Sequence, residues 1–178
     1  VLKEKLKVAI LNSGYKLFNN YGPTEITVDA LSGRMGNNPV HIGSPISNTK
    51  GYILDNHLKM LPIGVQGKLF ISGDGLTKGY LNRPDLTEKK FINNPFEEKG
   101  IMYDTGDIAK WLPNGNIEFI GRQDQQVKLR GYRIELGEIE STILSFSDNI
   151  KHTITLLKSD SLVVYYSAKE KINIDALK

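Results

Sequence analysis

Residues 105–140 read TGDIAKWLPNGNIEFIGRQDQQVKLRGYRIELGEIE. This stretch decides the architecture. Pro113-Asn114-Gly115 supplies tight-turn geometry, so Asp107–Trp111 and Asn116–Ile120 are predicted to pair as a hairpin whose apolar residues face a core. After Asp124, strands are predicted at Gln126–Leu129 and Tyr132–Ile134, leading into a helix from about Leu136 to Ser145. Further strands follow at His152–Leu157 and Leu162–Ser167. The change from a mostly β section to a small α+β section puts a boundary near Gln123, giving domains over 1–122 and 123–178.

Upstream, Leu2, Leu6, Ala9 and Ile10 fall at helical spacing, with Gly14 as a stop. Tyr15–Phe18 reads as a short strand that delivers the loop at Tyr21, and residues 32–50, rich in Gly, Asn, Pro and Ser, read as loop. Strands are expected at Gly51–Leu54 and Lys68–Ser72, the second alternating poorly and therefore buried on both faces. Pro84–Phe91 reads as a short helix with Pro in its first turn. No internal repeat or low-complexity tract is present.

The 178 residues suffice for one sizeable core, or for a medium domain with a small second one. A content of 39% hydrophobic and 24% charged residues argues against wholesale disorder. The net charge of +3 is spread along the chain, so neither nucleic acid nor an anionic membrane is expected as a partner. The absence of cysteine removes disulfides and thiolate metal sites and suits a cytoplasmic protein. The longest apolar runs, such as Leu162–Tyr166, are too short for a helix to cross a bilayer. Both ends read as cut, so the chain is expected to be a stretch of a longer polypeptide.

Three constellations could carry chemistry. In Tyr21-Gly22-Pro23-Thr24-Glu25, a base could stack on the ring, a phosphate could meet the Thr24 hydroxyl, and Mg²⁺ could be held by Glu25, a hard oxygen ligand. The same residues also suit a plain strand-to-helix turn. In Tyr103-Asp104-Thr105-Gly106-Asp107, the last carboxylate could accept hydrogen bonds from two ribose hydroxyls, or could simply cap a turn before a strand. From Gly121 to Arg133, the cations Arg122, Lys128, Arg130 and Arg133 could meet phosphates or carboxylates, and Gly131 would let a ligand approach the backbone. A solvated hairpin of alternating charge would read the same way. The run Glu135–Glu140 is read as scaffold, its acids suiting a helix N-terminus.

Order and separation change the weighing. Asn19–Glu25, Gly67–Leu81, Tyr103–Asp107 and Gly121–Glu140 together resemble the adenylate-forming superfamily, and most closely an amino-acid adenylation domain of a nonribosomal peptide synthetase, here as a C-terminal fragment. The resemblance covers roughly Tyr15 to Glu140.

It implies an α+β fold: the β-rich end of the large adenylation subdomain, a distorted antiparallel barrel, followed by a hinge and a small, incomplete α+β lid. It implies an ATP-dependent ligase that makes an aminoacyl-adenylate, releases pyrophosphate and loads a phosphopantetheine thiol. The expected partners are an amino acid, a peptidyl carrier domain and neighbouring synthetase domains.

By resemblance, Tyr21 packs on adenine beside Gly22, with Phe119 opposite; Thr24 contacts phosphate and Glu25 ligates Mg²⁺. Asp107 takes the ribose hydroxyls with Arg122 beside it, and Asp124 is the hinge. Lys128 belongs to the catalytic set, while Arg130 and Gly131 belong to the thiolation loop, with Gly131 on the pantetheine path. Asn20, Val28 and Asp29 line part of the substrate pocket, and Asp29 points to a non-aliphatic substrate.

The upstream phosphate loop, the pocket aspartate and the near-C-terminal lysine of the family fall outside these residues. The chain alone is therefore expected to be inactive. An acyl-CoA synthetase, a stand-alone carrier-protein ligase and a non-catalytic module that binds nucleotide or a carrier are the alternatives.

Overall fold

The computed structural model describes residues 2–124, 126–130 and 132–172, without the side chains of Lys128 and Arg133. The chain divides into two compact units between Gln123 and Asp124. It is a strand-rich α+β protein.

The first unit opens with helix α1 (Glu4–Asn12), which ends before Gly14 at φ +79°. Its inward residue is not an apolar one. Lys7 is 2% exposed, while Leu6 and Val8 face outward. The Lys7 ammonium is retained because it donates to the Asn38 carbonyl at 2.6 Å and pairs with Glu4.

Three short strands follow, β1 (Phe18–Tyr21), β2 (Leu31–Arg34) and β3 (Ser44–Pro45), in the antiparallel order β1-β2-β3. Two expectations are corrected here. The first strand lies three residues later than Tyr15–Phe18 and contains Tyr21 itself, and part of the expected loop over 32–50 is paired strand. A Gly- and Asn-rich composition hides short strands whose pairing is set by backbone closeness: a Cβ on Gly43 would lie 2.1 Å from the Ser32 carbonyl carbon.

The main sheet holds β4 (Thr49–Leu54), β5 (Gly67–Gly73), β6 (Phe91–Asn93), β7 (Ile101–Trp111) and β8 (Ile117–Arg122). Its order is β4-β5-β7-β6, with β8 also paired to β7, and every pairing is antiparallel. Helix α2 (Pro84–Lys90) leads into β6, with Pro in its first turn as expected. Strand β5 is covered on both faces, as its poor alternation predicts. Leu69 and Ile71 join the core of Leu31, Ile53, Tyr103, Ala109 and Ile117, while Phe70 joins Tyr52, Leu54 and Met102 behind the sheet.

Two irregularities curl the sheet. Lys68 pairs with Ile108 but Phe70 with Asp104, so β7 carries two extra residues around Thr105-Gly106-Asp107, where Gly106 takes φ +71°. The hairpin strand thus begins at Ile101 rather than at Asp107. In β8, Gly121 pairs with Ile108 but Phe119 with Ala109, leaving Ile120 unmatched. Arg122 and Phe119 are three residues apart, yet they oppose Asp107 and Ala109, which share one face of β7.

The second unit contains hairpin β9–β10 (Gln126–Leu129, Tyr132–Glu135), helix α3 (Leu136–Phe146) and hairpin β11–β12 (Ile150–Lys158, Ser161–Ala168). Helix α3 packs on β11 and its Glu140 carboxylate accepts the Thr155 N–H at 2.6 Å. Among its described residues, Leu136, Ile150 and Ile172 are the buried apolar side chains.

Candidate functional site

The bulge in β7 positions the first group of site residues. Thr105 donates its hydroxyl to the Leu69 carbonyl at 2.7 Å and accepts the Asp107 N–H at 3.1 Å, so a side chain replaces the interrupted ladder. Asp104 accepts the Gly106 N–H at 2.9 Å, closing the tight turn, and the Gly106 carbonyl takes the Gln123 N–H at 2.8 Å. The result holds the Asp107 carboxylate at 5% exposure on the core face of the strand.

A buried carboxylate needs donors. Asp107 has Arg122, whose Nη1 lies 2.6 Å from Oδ1, and Tyr21, whose hydroxyl donates to Oδ2. Tyr21 and Asp107 are 86 residues apart in the chain. Burial raises the Tyr21 hydroxyl well above its usual pKa, and the negative charge and hydrogen bond of Asp107 add to this. The phenol therefore remains a donor. Tyr21 and Phe119 both pack, partly buried, against the same core.

A second group surrounds Glu25. Pro23 leads into a single 3₁₀ turn, Thr24–Ile26, that leaves Thr24 exposed and Glu25 at 6% exposure. The Glu25 carbonyl accepts the Thr77 N–H at 2.9 Å, and its Oε1 accepts the Tyr80 hydroxyl at 2.7 Å. Tyr80 also lies 3.4 Å, oxygen to oxygen, from Tyr103, and its ring meets the edge of Phe91. Burial, followed by the bonds to Tyr103 and Glu25, pushes the Tyr80 hydroxyl far above the ordinary phenol range.

The segment after the turn is strained. Thr27 and Val28 adopt φ +55° and +74°, left-handed values that cost a β-branched residue about 1–3 kcal/mol each. Gly22 makes this possible, because a Cβ there would sit 2.2 Å from the Val28 carbonyl oxygen. The Thr27 hydroxyl ties the segment to the Gly75 carbonyl. Val28, 65% exposed, and Asp29 are presented outward. Asn20 is exposed on β1 and accepts the Ser32 hydroxyl at 2.8 Å.

The fold thus joins Tyr21, Asp107 and Arg122 in one bonded cluster and seats Glu25 against Tyr80. Within the second unit, Arg130 is exposed at φ +51° in the β9–β10 turn, and Asp124 accepts the Gln126 N–H at 3.3 Å. Gly131 and the Lys128 side chain, named for the thiolation loop and the catalytic set, lie outside the described residues. Sequence reasoning gave Tyr80 no role, although it stands in the Gly67–Leu81 motif, because its carboxylate partner Glu25 lies 55 residues away in the chain.

The AMP-binding enzyme family matches residues 2–81. Bacitracin synthase 1 of Bacillus licheniformis is 50% identical over 173 residues, covering 92% of this chain and 3% of that protein. Tyrocidine synthase 3 of Brevibacillus parabrevis is 44% identical over 183 residues, covering 99% of this chain and 3% of its own length. Among solved structures, PA1221, an NRPS protein containing adenylation and PCP domains, superposes with a TM-score of 0.81 at 29% identity, over 95% of this chain and 36% of that one. Holo-AB3403, a four-domain nonribosomal peptide synthetase bound to AMP and glycine, gives 0.66 at 38% identity, over 100% of this chain and 14% of that one. The chain thus spans about 3% of these two synthases and 14–36% of these two solved structures. It belongs to the AMP-binding enzymes, within the adenylation domains of nonribosomal peptide synthetases.

Proposed function

We propose that this chain supplies the nucleotide side, the hinge and part of the lid of an enzyme that activates an amino acid with ATP and passes it to a carrier thiol. The observation that supports this best is the Tyr21–Asp107–Arg122 cluster: a buried, oriented carboxylate beside an aromatic ring and a cation. In the reaction, an amino-acid carboxylate oxygen bonds to the α-phosphorus of ATP and the bond to the bridging oxygen breaks, releasing pyrophosphate.

Asp107 accepts hydrogen bonds from the ribose hydroxyls. Each carboxylate oxygen can take two donors, so the bonds from Tyr21 and Arg122 do not by themselves saturate the group. The Tyr21 ring lies against the adenine, with Phe119 as the other apolar wall, and Thr24 offers its hydroxyl to a phosphate.

Mg²⁺ fits the donor chemistry here. Glu25 presents a hard carboxylate oxygen next to the exposed hydroxyl of Thr24, which suits an ion bound by one carboxylate and substrate phosphates. Glu25 would hold it, and the ion would neutralise charge developing on the phosphates. Asp124 serves as the hinge about which the lid swings. Lys128, Arg130 and Gly131 serve the thiolation step, Gly131 beside the phosphopantetheine arm of a peptidyl carrier domain, a reading supported by the carrier domain carried by PA1221. Asn20, Val28 and Asp29 contact the amino-acid side chain.

The 178 residues alone are not expected to turn over, since catalysis needs a phosphate loop and a substrate-ammonium contact. Among the described residues no helix is long and apolar enough to cross a membrane.

Pyrophosphate exchange into ATP by the intact protein, against a panel of amino acids and simple carboxylic acids, tests the reading. Exchange driven by an amino acid supports it. Exchange with only fatty or aryl acids moves the chain to the acyl-CoA synthetases, and none at all leaves a binding module.

A further inference from the structure

We infer that Tyr80 is a positioning residue for the metal-binding carboxylate, an assignment that rests on Glu25 being the Mg²⁺ ligand. A carboxylate on a one-turn 3₁₀ segment has little backbone to fix it, and its side-chain torsions remain to be set by its partners. The Tyr80 hydroxyl donates to Glu25 Oε1 at 2.7 Å across 55 residues of sequence.

Tyr80 itself is held from several directions. Its N–H donates to the Thr87 hydroxyl at 2.9 Å. Gly79, at φ +123°, brings the chain so close to Thr87 that a Cβ would lie 2.3 Å from its methyl. The ring packs edge-on to Phe91 with centroids 5.8 Å apart, and Phe91 in turn leans on Tyr103 at 5.1 Å. Backbone adds a second tie, since Thr77, three residues before Tyr80, donates its N–H to the Glu25 carbonyl.

The 3₁₀ turn is thus clamped to the β5–α2 connection at both its main chain and its side chain. Groups that hold a metal ligand from behind set its orientation and basicity, and removing one typically weakens metal binding 10–100-fold.

Tyr80→Phe in the intact protein deletes the donor and keeps the ring on Phe91. Mn²⁺ serves as the probe, with free Mn²⁺ counted by electron paramagnetic resonance in the presence of a non-hydrolysable ATP analogue. Analogue binding in EDTA is measured alongside. The expected result is a Mn²⁺ Kd raised about 10–100-fold, with analogue affinity in EDTA unchanged.

Tyr103→Phe separates positioning from packing, because it removes the neighbouring hydroxyl and leaves the Tyr80–Glu25 bond. It is expected to keep Mn²⁺ affinity near that of the parent. A Mn²⁺ Kd for Tyr80→Phe within about twofold of the parent overturns the inference, as does an equal loss in both variants. Glu25→Gln tests the underlying reading separately: if it leaves Mn²⁺ binding intact, Glu25 is not the ligand, whereas if it alone weakens binding, Glu25 stands and Tyr80 does not.

Discussion

Arg122 Nη1 lies 2.6 Å from Asp107 Oδ1, and the two residues are cross-strand partners on β8 and β7. The pair is largely withdrawn from water, so removing the cation leaves a buried charge without its counter-ion. Arg122→Ala is expected to destabilise the protein by about 3 kcal/mol. The double variant with Asp107→Ala should lose less than the sum of the two single changes. Urea unfolding of the four proteins measures this coupling, and strict additivity would refute it.

Tyr21 offers both a ring and a hydroxyl, and Tyr21→Phe separates them. The ring proposed to meet adenine remains, while the donor that aligns Asp107 is lost. A hydrogen bond to a charged group contributes about 1.5–3 kcal/mol, so AMP affinity should fall roughly 10–100-fold. The preference for AMP over its 2′,3′-dideoxy analogue should shrink in parallel. Calorimetric titration with both nucleotides checks this; a drop that is equal for both would assign the hydroxyl to the base instead.

Alkaline stability follows from the same phenols. Tyr21 and Tyr80 both have hydroxyls raised above the ordinary value of 10.0, chiefly by burial. The unfolded chain releases those protons first, so the stabilisation is complete below about pH 10 and is lost as pH rises above it. Urea midpoints from pH 9 to 11.5 should fall more steeply for the parent than for Tyr21→Phe.

On the acid side His41 acts in the opposite sense. It is 3% exposed, accepts the Gly43 N–H at 3.1 Å through Nδ1, and gives its carbonyl to Asn19 at 2.6 Å. Burial, then the Lys7 charge, holds its pKa below 6.5. The unfolded chain takes up the proton first, so stability is present above pH 6.5 and declines as pH falls through the depressed value. His41→Gln should flatten that decline between pH 7 and 5 in thermal melts.

Gly22 and Gly121 give a paired test of the strained segment. A methyl on Gly22 meets the Val28 carbonyl at 2.2 Å, whereas one on Gly121 meets nothing within 4 Å. Gly22→Ala should cost about 1–3 kcal/mol and blur the ranking of amino acids in pyrophosphate exchange, while Gly121→Ala should leave both unchanged. Asp29→Ala should alter the ranking with little effect on the melting temperature, since Asp29 is exposed.

Some of this was legible in the sequence. Lys68–Ser72 announced a doubly covered strand because its apolar residues do not alternate, and Pro113-Asn114-Gly115 announced its hairpin through turn chemistry. Asp107, Arg122 and Glu25 stood out as polar groups in fixed motifs. Lys7 was invisible as a core residue, because a lysine among leucines reads as the wet side of a helix and only Asn38, 31 residues on, reveals otherwise. Tyr80 was passed over for the same reason: its partner is distant in sequence, and hydrogen bonds across that distance leave no period or spacing to read.

The unmatched Ile120 has a consequence that concerns counting. In a regular strand, residues an odd number apart stand on opposite faces, so Arg122 and Phe119 would be divided by the sheet. One surplus residue cancels that odd step, whereas the two-residue surplus in β7 leaves the faces of Tyr103 and Ala109 in phase. The site therefore depends on parity as much as on side chains. Deleting Ile120 would leave Phe119 and Arg122 two residues apart, still opposite Ala109 and Asp107 on one face. One residue inserted between Gly121 and Arg122 would instead turn the guanidinium away from Asp107, whereas an insertion of two residues at the β7 bulge would lengthen the strand without changing what faces inward.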